Sequence, residues 1–295
     1  MKNYYEKVKA QPEIFKQFAY KDLLFIYYDC PLLVCKQDVW SQCNYLLYAV
    51  TGNKRFHTPD RSWTLLEGTA IFVKKGACII ERFSEDTLCL MAFFVPDSYL
   101  RSFLKANPAL LQKNLPVEAT DIVIPVEVNT IMKGYYQSVL PYFTSGIRPP
   151  EDLLELKFRE LLLNILSNPA NTALNGYLQT LLSCDADDLR QMIEANCYYN
   201  LGLEDYAKLC NRSLSSFKRD FQRIYKTPPS QWFLNKRLDR ARELLFSTPK
   251  SVNEISFECG FENNTHFSRV FKKRFGLPPL QYRKQAMTAV GSSSH

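Results

Sequence analysis

One short pattern occurs twice in this chain, and it constrains the fold more than any other feature. The first copy, S-F-K-R-D-F-Q-R-I-Y-K-T-P-P-S-Q-W, runs from Ser216 to Trp232, and the second, H-F-S-R-V-F-K-K-R-F-G-L-P-P-L-Q-Y, from His266 to Tyr282. The offset of 50 pairs Phe217 with Phe267, Arg219 with Arg269, Phe221 with Phe271, Tyr225 with Phe275 and Trp232 with Tyr282. A self-match at fixed register marks a duplicated structural unit. Within each copy the aromatics recur every four residues, which is one face of an α-helix. Basic residues fall between them: Lys218, Arg219 and Arg223 in the first copy, and Arg269, Lys272, Lys273 and Arg274 in the second. Each helix is expected to end before its Pro-Pro pair, because proline cannot continue a helix.

A shorter helix precedes each copy, L-E-D-Y-A-K-L-C from Leu203 to Cys210 and V-N-E-I-S-F-E-C-G from Val252 to Gly260. Here the offset is 49, pairing Ala207 with Ser256 and Cys210 with Cys259, and the change of one falls in the turn. The turns Asn211-Arg212 and Gly260-Phe261 place Asn or Gly where a left-handed cap is needed. Two helices, a tight turn and a basic second helix make a helix-turn-helix, whose second helix enters the DNA major groove. Between the units, Gln231 to Ser247 carries an apolar stripe of Leu234, Leu238, Ala241 and Leu245. As a helix that segment spans roughly 25 Å. It can hold two reading helices about one DNA turn, roughly 34 Å, apart.

The net charge of +7 is placed unevenly. From Arg190 to Gln285 there are 18 Lys and Arg against 9 Asp and Glu, a balance of +9, and the remainder carries −2. Positive charge therefore sits where phosphates would be met. Cys30, Cys35, Cys43, Cys78, Cys89, Cys184, Cys197, Cys210 and Cys259 include no C-x-x-C pair and lie mostly in apolar context. They read as reduced, buried thiols of a cytoplasmic protein, with a redox sensor as the alternative. No signal peptide and no apolar run of about 20 residues is present. The last residues, A-V-G-S-S-S-H from Ala289, read as an appended tail rather than structure.

The first third is rich in strand signals. Apolar runs at 23–28, 32–35, 45–50, 70–73, 77–83 and 88–95 are separated by turn-like T-G-N-K, H-T-P-D-R, V-K-K-G and F-S-E-D-T. Many short strands at regular spacing imply a barrel or a sandwich. Helices are expected over Asp97–Ala106, starting at an Asp cap, then Asn129–Phe143, Asp152–Ser167 and Ala173–Leu182. The Asp152–Ser167 helix has more apolar residues than one face needs, so it packs on a neighbouring helix or on a second subunit. Ser183–Asp187 is the linker candidate, with Asp185 or Asp187 able to cap the next helix.

The run E-I-S-F-E-C-G-F-E-N-N-T-H-F-S-R-V-F-K-K-R-F-G-L-P-P-L-Q-Y-R, Glu254 to Arg283, resembles the signature of the AraC/XylS family of transcription regulators. It departs from it at Ser256, where Ala is usual, and at His266, where Tyr is usual. The first helix-turn-helix is similar more loosely. L-E-G-T-A-I-F-V-K-K-G, Leu66 to Gly76, resembles a strand-turn segment of the cupin-like sensor domain found in that family. The order of elements is similar to the subgroup that activates virulence or secretion genes. The resemblance implies a multi-domain α and β protein. Its N-terminal part is a cupin-like β-barrel with helices (1–184), followed by an all-α tandem helix-turn-helix (185–286) and the tail (287–295). It further implies double-stranded promoter DNA and RNA polymerase as partners, a homodimer through 152–167, and a small-molecule or protein effector at the N-terminal domain.

An enzyme reading of the barrel finds little support. A metal cupin needs several histidines and a carboxylate on one ion, whereas the chain has only His57, His266 and His295, and His57 reads as a turn residue. No cofactor is called for, and G-x-S-x-G, Walker A and G-x-G-x-x-G are all absent. The aromatics Tyr27, Tyr28, Trp40, Tyr45, Tyr48, Phe56, Trp63 and Phe72 are core at strand spacing or the lining of a ligand site. For DNA, the face opposite Phe217 and Phe221 offers Ser215, Lys218, Arg219 and Gln222. The face opposite Phe267 and Phe271 offers Asn264, Thr265, Ser268, Arg269 and Lys272. The family's base-contacting positions fall on Ser215, Lys218, Arg219, Asn264, Thr265 and Arg269. Arg suits guanine and Asn suits adenine, while Lys236, Arg237, Lys273 and Arg274 suit phosphate. For Arg219 and Arg269 the alternative is pairing with a nearby acid. The expected function is a sequence-specific regulator, in the sense of an activator. The alternatives are a DNA-binding protein of low specificity and a cupin-type enzyme fused to a DNA-binding domain.

Overall fold

The computed structural model describes residues 1–29, 36–81, 87–111, 121–182 and 187–291. The chain divides into two units, Met1–Ala186 and Asp187–His295. The expected strand at 32–35, the linker at 183–186 with Asp185, and Cys30, Cys35 and Cys184 lie outside the described residues.

The first unit opens with β1 (Lys2–Asn3) and α1 (Tyr4–Lys9), then β2 (Lys16–Tyr20), β3 (Leu23–Asp29), β4 (Lys36–Ser41), β5 (Asn44–Thr51), β6 (Lys54–His57) and β7 (Ser62–Leu65). It continues through β8 (Ala70–Val73), β9 (Gly76–Glu81), β10 (Cys89–Val95), α2 (Asp97–Ala106) and β11 (Val123–Val126) to α3 (Thr130–Thr144), α4 (Glu151–Ser167) and α5 (Thr172–Thr180). The strands form two mainly antiparallel sheets, of order β1-β4-β9-β6-β7 and β11-β8-β5-β10-β3-β2. The larger sheet is apolar on both faces. One face, with Leu24, Ile26, Leu47, Leu90 and Phe94, shares a core with Val39, Phe56, Cys78 and Ile80 of the smaller sheet. The other, with Phe25, Leu46, Phe72, Met91 and Phe93, packs under Leu100, Tyr136, Phe158 and Leu162 of the helices. A sheet covered on both sides needs continuous apolar strands, which is why β3, β5, β8 and β10 read as unbroken runs. Each large apolar side chain buried there contributes about 1.5–3 kcal/mol.

Two expectations are corrected. Asp97 does not cap α2; Pro96 holds the cap position and Asp97 is the first helical residue. Its carboxylate is buried, accepts from Asn44 Nδ2 at 2.6 Å and pairs with Lys75 Nζ at 2.6 Å, with Arg101 at 3.6 Å. A carboxylate held this way fastens α2 to the sheet instead of serving the helix end. His57 is no turn residue: it ends β6, and its Nε2 lies 2.6 Å from Glu81 Oε2 on the neighbouring β9. Burial pushes Cys43, Cys78 and Cys259 up to about 12, which keeps them as inert thiols at neutral pH.

The second unit contains α6 (Asp187–Asn196), α7 (Leu203–Leu209), α8 (Leu214–Tyr225), α9 (Pro229–Ser247), α10 (Val252–Glu258), α11 (Asn264–Phe275) and α12 (Pro279–Gly291). Residues 287–291 of the expected tail are therefore helical. The Pro-Pro pairs do more than stop α8 and α11. Pro229 and Pro279 are the first residues of α9 and α12, where the missing N–H costs nothing and φ is already helical. Helix α9 spans about 28 Å at helical rise and belongs to two cores. Its Phe233, with Trp232, joins Tyr206, Phe217 and Phe221. Its Leu238, Ala241, Leu244 and Leu245 join Ile255, Phe267 and Phe271.

Candidate nucleic-acid interface

The two helix-turn-helix modules of the second unit build α8 and α11 by the same local chemistry. Beyond Leu209, the end of α7, Asn211 takes φ 52°, and Arg212 N–H reaches back to Ala207 O at 2.8 Å. Beyond Glu258, the end of α10, Gly260 takes φ 75°, and Phe261 N–H reaches Ser256 O at 3.0 Å. Both turns thus satisfy the last carbonyls of the short helix and redirect the chain. Ser213 Oγ then caps α8 by accepting from Ser216 N–H at 3.2 Å. Asn263 Oδ1 caps α11, accepting from Thr265 and His266 N–H at 2.8 and 3.0 Å. Each of these helices has 12 residues and is followed by a left-handed cap, Lys226 or Gly276. Helix α10 has a full capping box between Ser251 and Glu254, and the hydrogen bonds from Ser251 lower the Glu254 carboxyl below its usual range.

Phe217, Phe221, Phe267 and Phe271 are completely buried. That anchoring turns the opposite faces outward. On α8, Ser215, Lys218, Arg219 and Gln222 are exposed. On α11, Thr265, Arg269, Lys272 and Lys273 are exposed, while Asn264 and Ser268 are half-buried. Asn264 Nδ2 donates to Asn253 Oδ1 of α10 at 2.8 Å. Ser268 lines an open groove with Ser251, Asn253, Pro279, Leu280 and Arg283.

The four expected phosphate contacts, Lys236, Arg237, Lys273 and Arg274, are not placed alike. Lys273 is exposed. Lys236 is half-buried, its ammonium 5.2 Å from the Trp232 ring centre, an arrangement that leaves the head near solvent. Arg237 and Arg274 are engaged by the protein's own groups, Arg237 half-buried and Arg274 at the exposed surface. Arg237 Nη1 donates to Asn200 Oδ1 at 3.1 Å and Gly260 O at 2.9 Å, and burial lowers its pKa. Arg274 Nη2 bonds both oxygens of Asp239, at 2.9 and 2.8 Å. The partners lie 37, 23 and 35 residues away in sequence, so face-counting along one helix could not expose them.

An acidic centre under α8 is a further feature that helix geometry missed. Asp220 is buried and accepts from Arg212 and from Ser216 Oγ at 3.3 Å. Arg219 Nε and Arg223 Nη2 lie 3.7 and 3.8 Å from its other oxygen. The i−1 and i+3 spacings were legible as charge neighbours, but the burial of the carboxylate was not. Arg219 keeps most of its side chain, 77%, in solvent despite this contact. Position 270, the counterpart of Asp220, is a valine. The pattern as a whole can present cations and amide or hydroxyl groups to a nucleic-acid groove, with phosphate neutralised alongside.

Comparison with known proteins finds family matches to both units. Residues 44–177 match the model of the ExsA N-terminal regulatory domain, and residues 206–285 match that of a helix-turn-helix domain. The virulence regulon transcriptional activator VirF of Yersinia enterocolitica is 23% identical over 247 residues, 83% of this chain and 91% of its own length. The HTH-type transcriptional regulator ExsA of Pseudomonas aeruginosa is 25% identical over 233 residues, 76% of this chain and 80% of its own length. Among solved structures, ToxT of Vibrio cholerae covers 89% of this chain and 98% of its own, at 13% identity and a TM-score of 0.41.

Proposed function

The chain belongs to the AraC/XylS family of transcription regulators, and from that premise we propose that it activates transcription by reading promoter DNA with α8 and α11 in successive major grooves. It is a DNA-binding regulator and not an enzyme. In this reading Ser215, Lys218 and Arg219 meet bases from α8, with Gln222 beside them, and Asn264, Thr265 and Arg269 meet bases from α11, with Ser268 beside them. Lys236, Lys272 and Lys273 meet phosphate. The observation that carries the reading is the double anchoring of two equivalent helices: their aromatic faces are sealed and their basic faces are exposed.

The first unit takes the effector and forms the homodimer. Helix α4 supports the second role, because Leu156 and Leu163 remain exposed although six other apolar residues of that helix are buried. RNA polymerase is the partner that activation requires, and the cytoplasm is the compartment where promoter DNA is met. No helix among the described residues is long and apolar enough to cross a membrane.

The test is competition for a selected duplex by bulk DNA. A specific site is expected to win by roughly 10³ or more. A ratio near one returns the low-specificity alternative. Arg269→Ala is expected to cost about 1–3 kcal/mol at the selected site and to relax one base preference. An equal loss on every duplex reduces Arg269 to a phosphate contact.

A further inference from the structure

We propose that Arg237 is a positioning residue that sets the spacing at which the two helix-turn-helix units read DNA. This rests on the two-reader function above. Arg237 leaves α9 midway between the two cores and joins elements of both units. Its Nη1 donates to Asn200 Oδ1, in the loop that leads into α7, and to Gly260 O, in the turn that leads into α11. The guanidinium also lies 5.1 Å from the ring centre of Phe261. Asn200 closes the triangle by donating from Nδ2 to Glu262 Oε1 at 2.8 Å.

The backbones meet at the same place. A Cβ on Gly260 would come within 3.2 Å of Asn200 N and 3.3 Å of Tyr198 O, so only glycine lets the loop of one unit touch the turn of the other this closely. Glu262 directly precedes Asn263, the cap of α11. Any slip at this junction is therefore delivered to the start of a reading helix. A guanidinium holds its donors at fixed angles while its flat face lies on the ring, whereas an ammonium carries rotating donors on a flexible stem and fixes this geometry less well.

The experiment starts from a duplex enriched by in vitro selection with the full chain, and a second duplex with one base pair added between its half-sites. One base pair moves a half-site by about 3.4 Å and about 35°. Titration by fluorescence anisotropy at one salt concentration gives the ratio of the two affinities. The wild-type chain is expected to bind the lengthened duplex at least tenfold more weakly. Arg237→Lys and Asn200→Ala are each expected to reduce that penalty below threefold while binding an isolated half-site as the wild type does. Loss of binding through simple destabilisation would lower every affinity and leave the ratio untouched. Asn200→Ala provides the answer if Arg237→Lys does not fold. A retained tenfold penalty in the folded variants overturns the proposal alone. Enrichment of a duplex with a single half-site overturns the two-reader function and the proposal with it.

Discussion

The first and second helix-turn-helix units share a plan and differ in what lies beneath the reading helix. Under α8 a buried carboxylate, Asp220, gathers Arg212, Arg219 and Arg223. Under α11 the equivalent place is Val270, and Arg269, Lys272 and Lys273 are exposed. The first unit therefore draws three arginines toward one carboxylate within the reading helix, whereas the second commits Arg274 to Asp239 of α9 and leaves Arg269, Lys272 and Lys273 to solvent. The difference teaches that a repeat preserved in its apolar and turn positions can diverge in electrostatics. Spacing alone fixes the frame of such a unit and not the availability of its cations.

The comparison can be broken most forcefully at the shared positions. Phe217→Ala and Phe267→Ala should each cost about 3–5 kcal/mol, because both rings are completely buried. Urea denaturation of the second unit would report it, and a cost near zero at either site would show that the two cores are not equivalent. Next comes Asp220→Asn. Arg212 is about a third exposed, so the pair is discounted for solvent and its loss should cost about 1–2 kcal/mol. The same change releases the arginines of α8, so the salt dependence of DNA binding should steepen by about one phosphate equivalent. A stability loss with no change in slope would mean that α8 stands away from the backbone.

Smaller effects sharpen the picture. Ser256 replaces the alanine seen at Ala207; it is fully buried and its hydroxyl has no partner among the described residues. Ser256→Ala should raise stability by about 1 kcal/mol, the cost of leaving a buried hydroxyl unmade, and a fall in Tm would reveal a bond that this geometry does not contain. At the helix ends, Lys226 adopts φ 52° where Gly276 adopts φ 84°. Lys226→Gly should stabilise, and Gly276→Ala destabilise, each by up to about 1 kcal/mol. Equal behaviour of the two sites in thermal unfolding would erase this asymmetry.

Sequence patterns made some elements of the fold plain and concealed others for physical reasons. Strands β3, β5, β8 and β10 stood out because both their faces are covered. Strands β2, β4, β6 and β7 did not, since residues such as Lys16, Gln37, Arg55 and Thr64 interrupt the apolar signal on partly open faces. The bounds of α2 were read correctly, yet Asp97 was assigned to the cap because its partners Asn44 and Lys75 are remote in sequence. On α8 and α11, the exposure of Lys218, Arg219, Thr265 and Arg269 follows from counting around the helix from buried phenylalanines. The internal partners of Arg237 and Arg274 were not legible, because counting gives direction around one helix and says nothing about remote groups packed beside it.

Helix α9 contributes Phe233 to one core and Leu238, Ala241, Leu244 and Leu245 to the other. Neither half of the duplication can be excised cleanly, since any cut through this segment strips a wall from one side. A graft that exchanges one reader for a homologue's must carry the whole of Pro229–Ser247 with it. Otherwise the chimera must rebuild an apolar seam at the junction. The pair of modules is in this sense indivisible, and the outward faces of α8 and α11 can be altered without disturbing the scaffold they share.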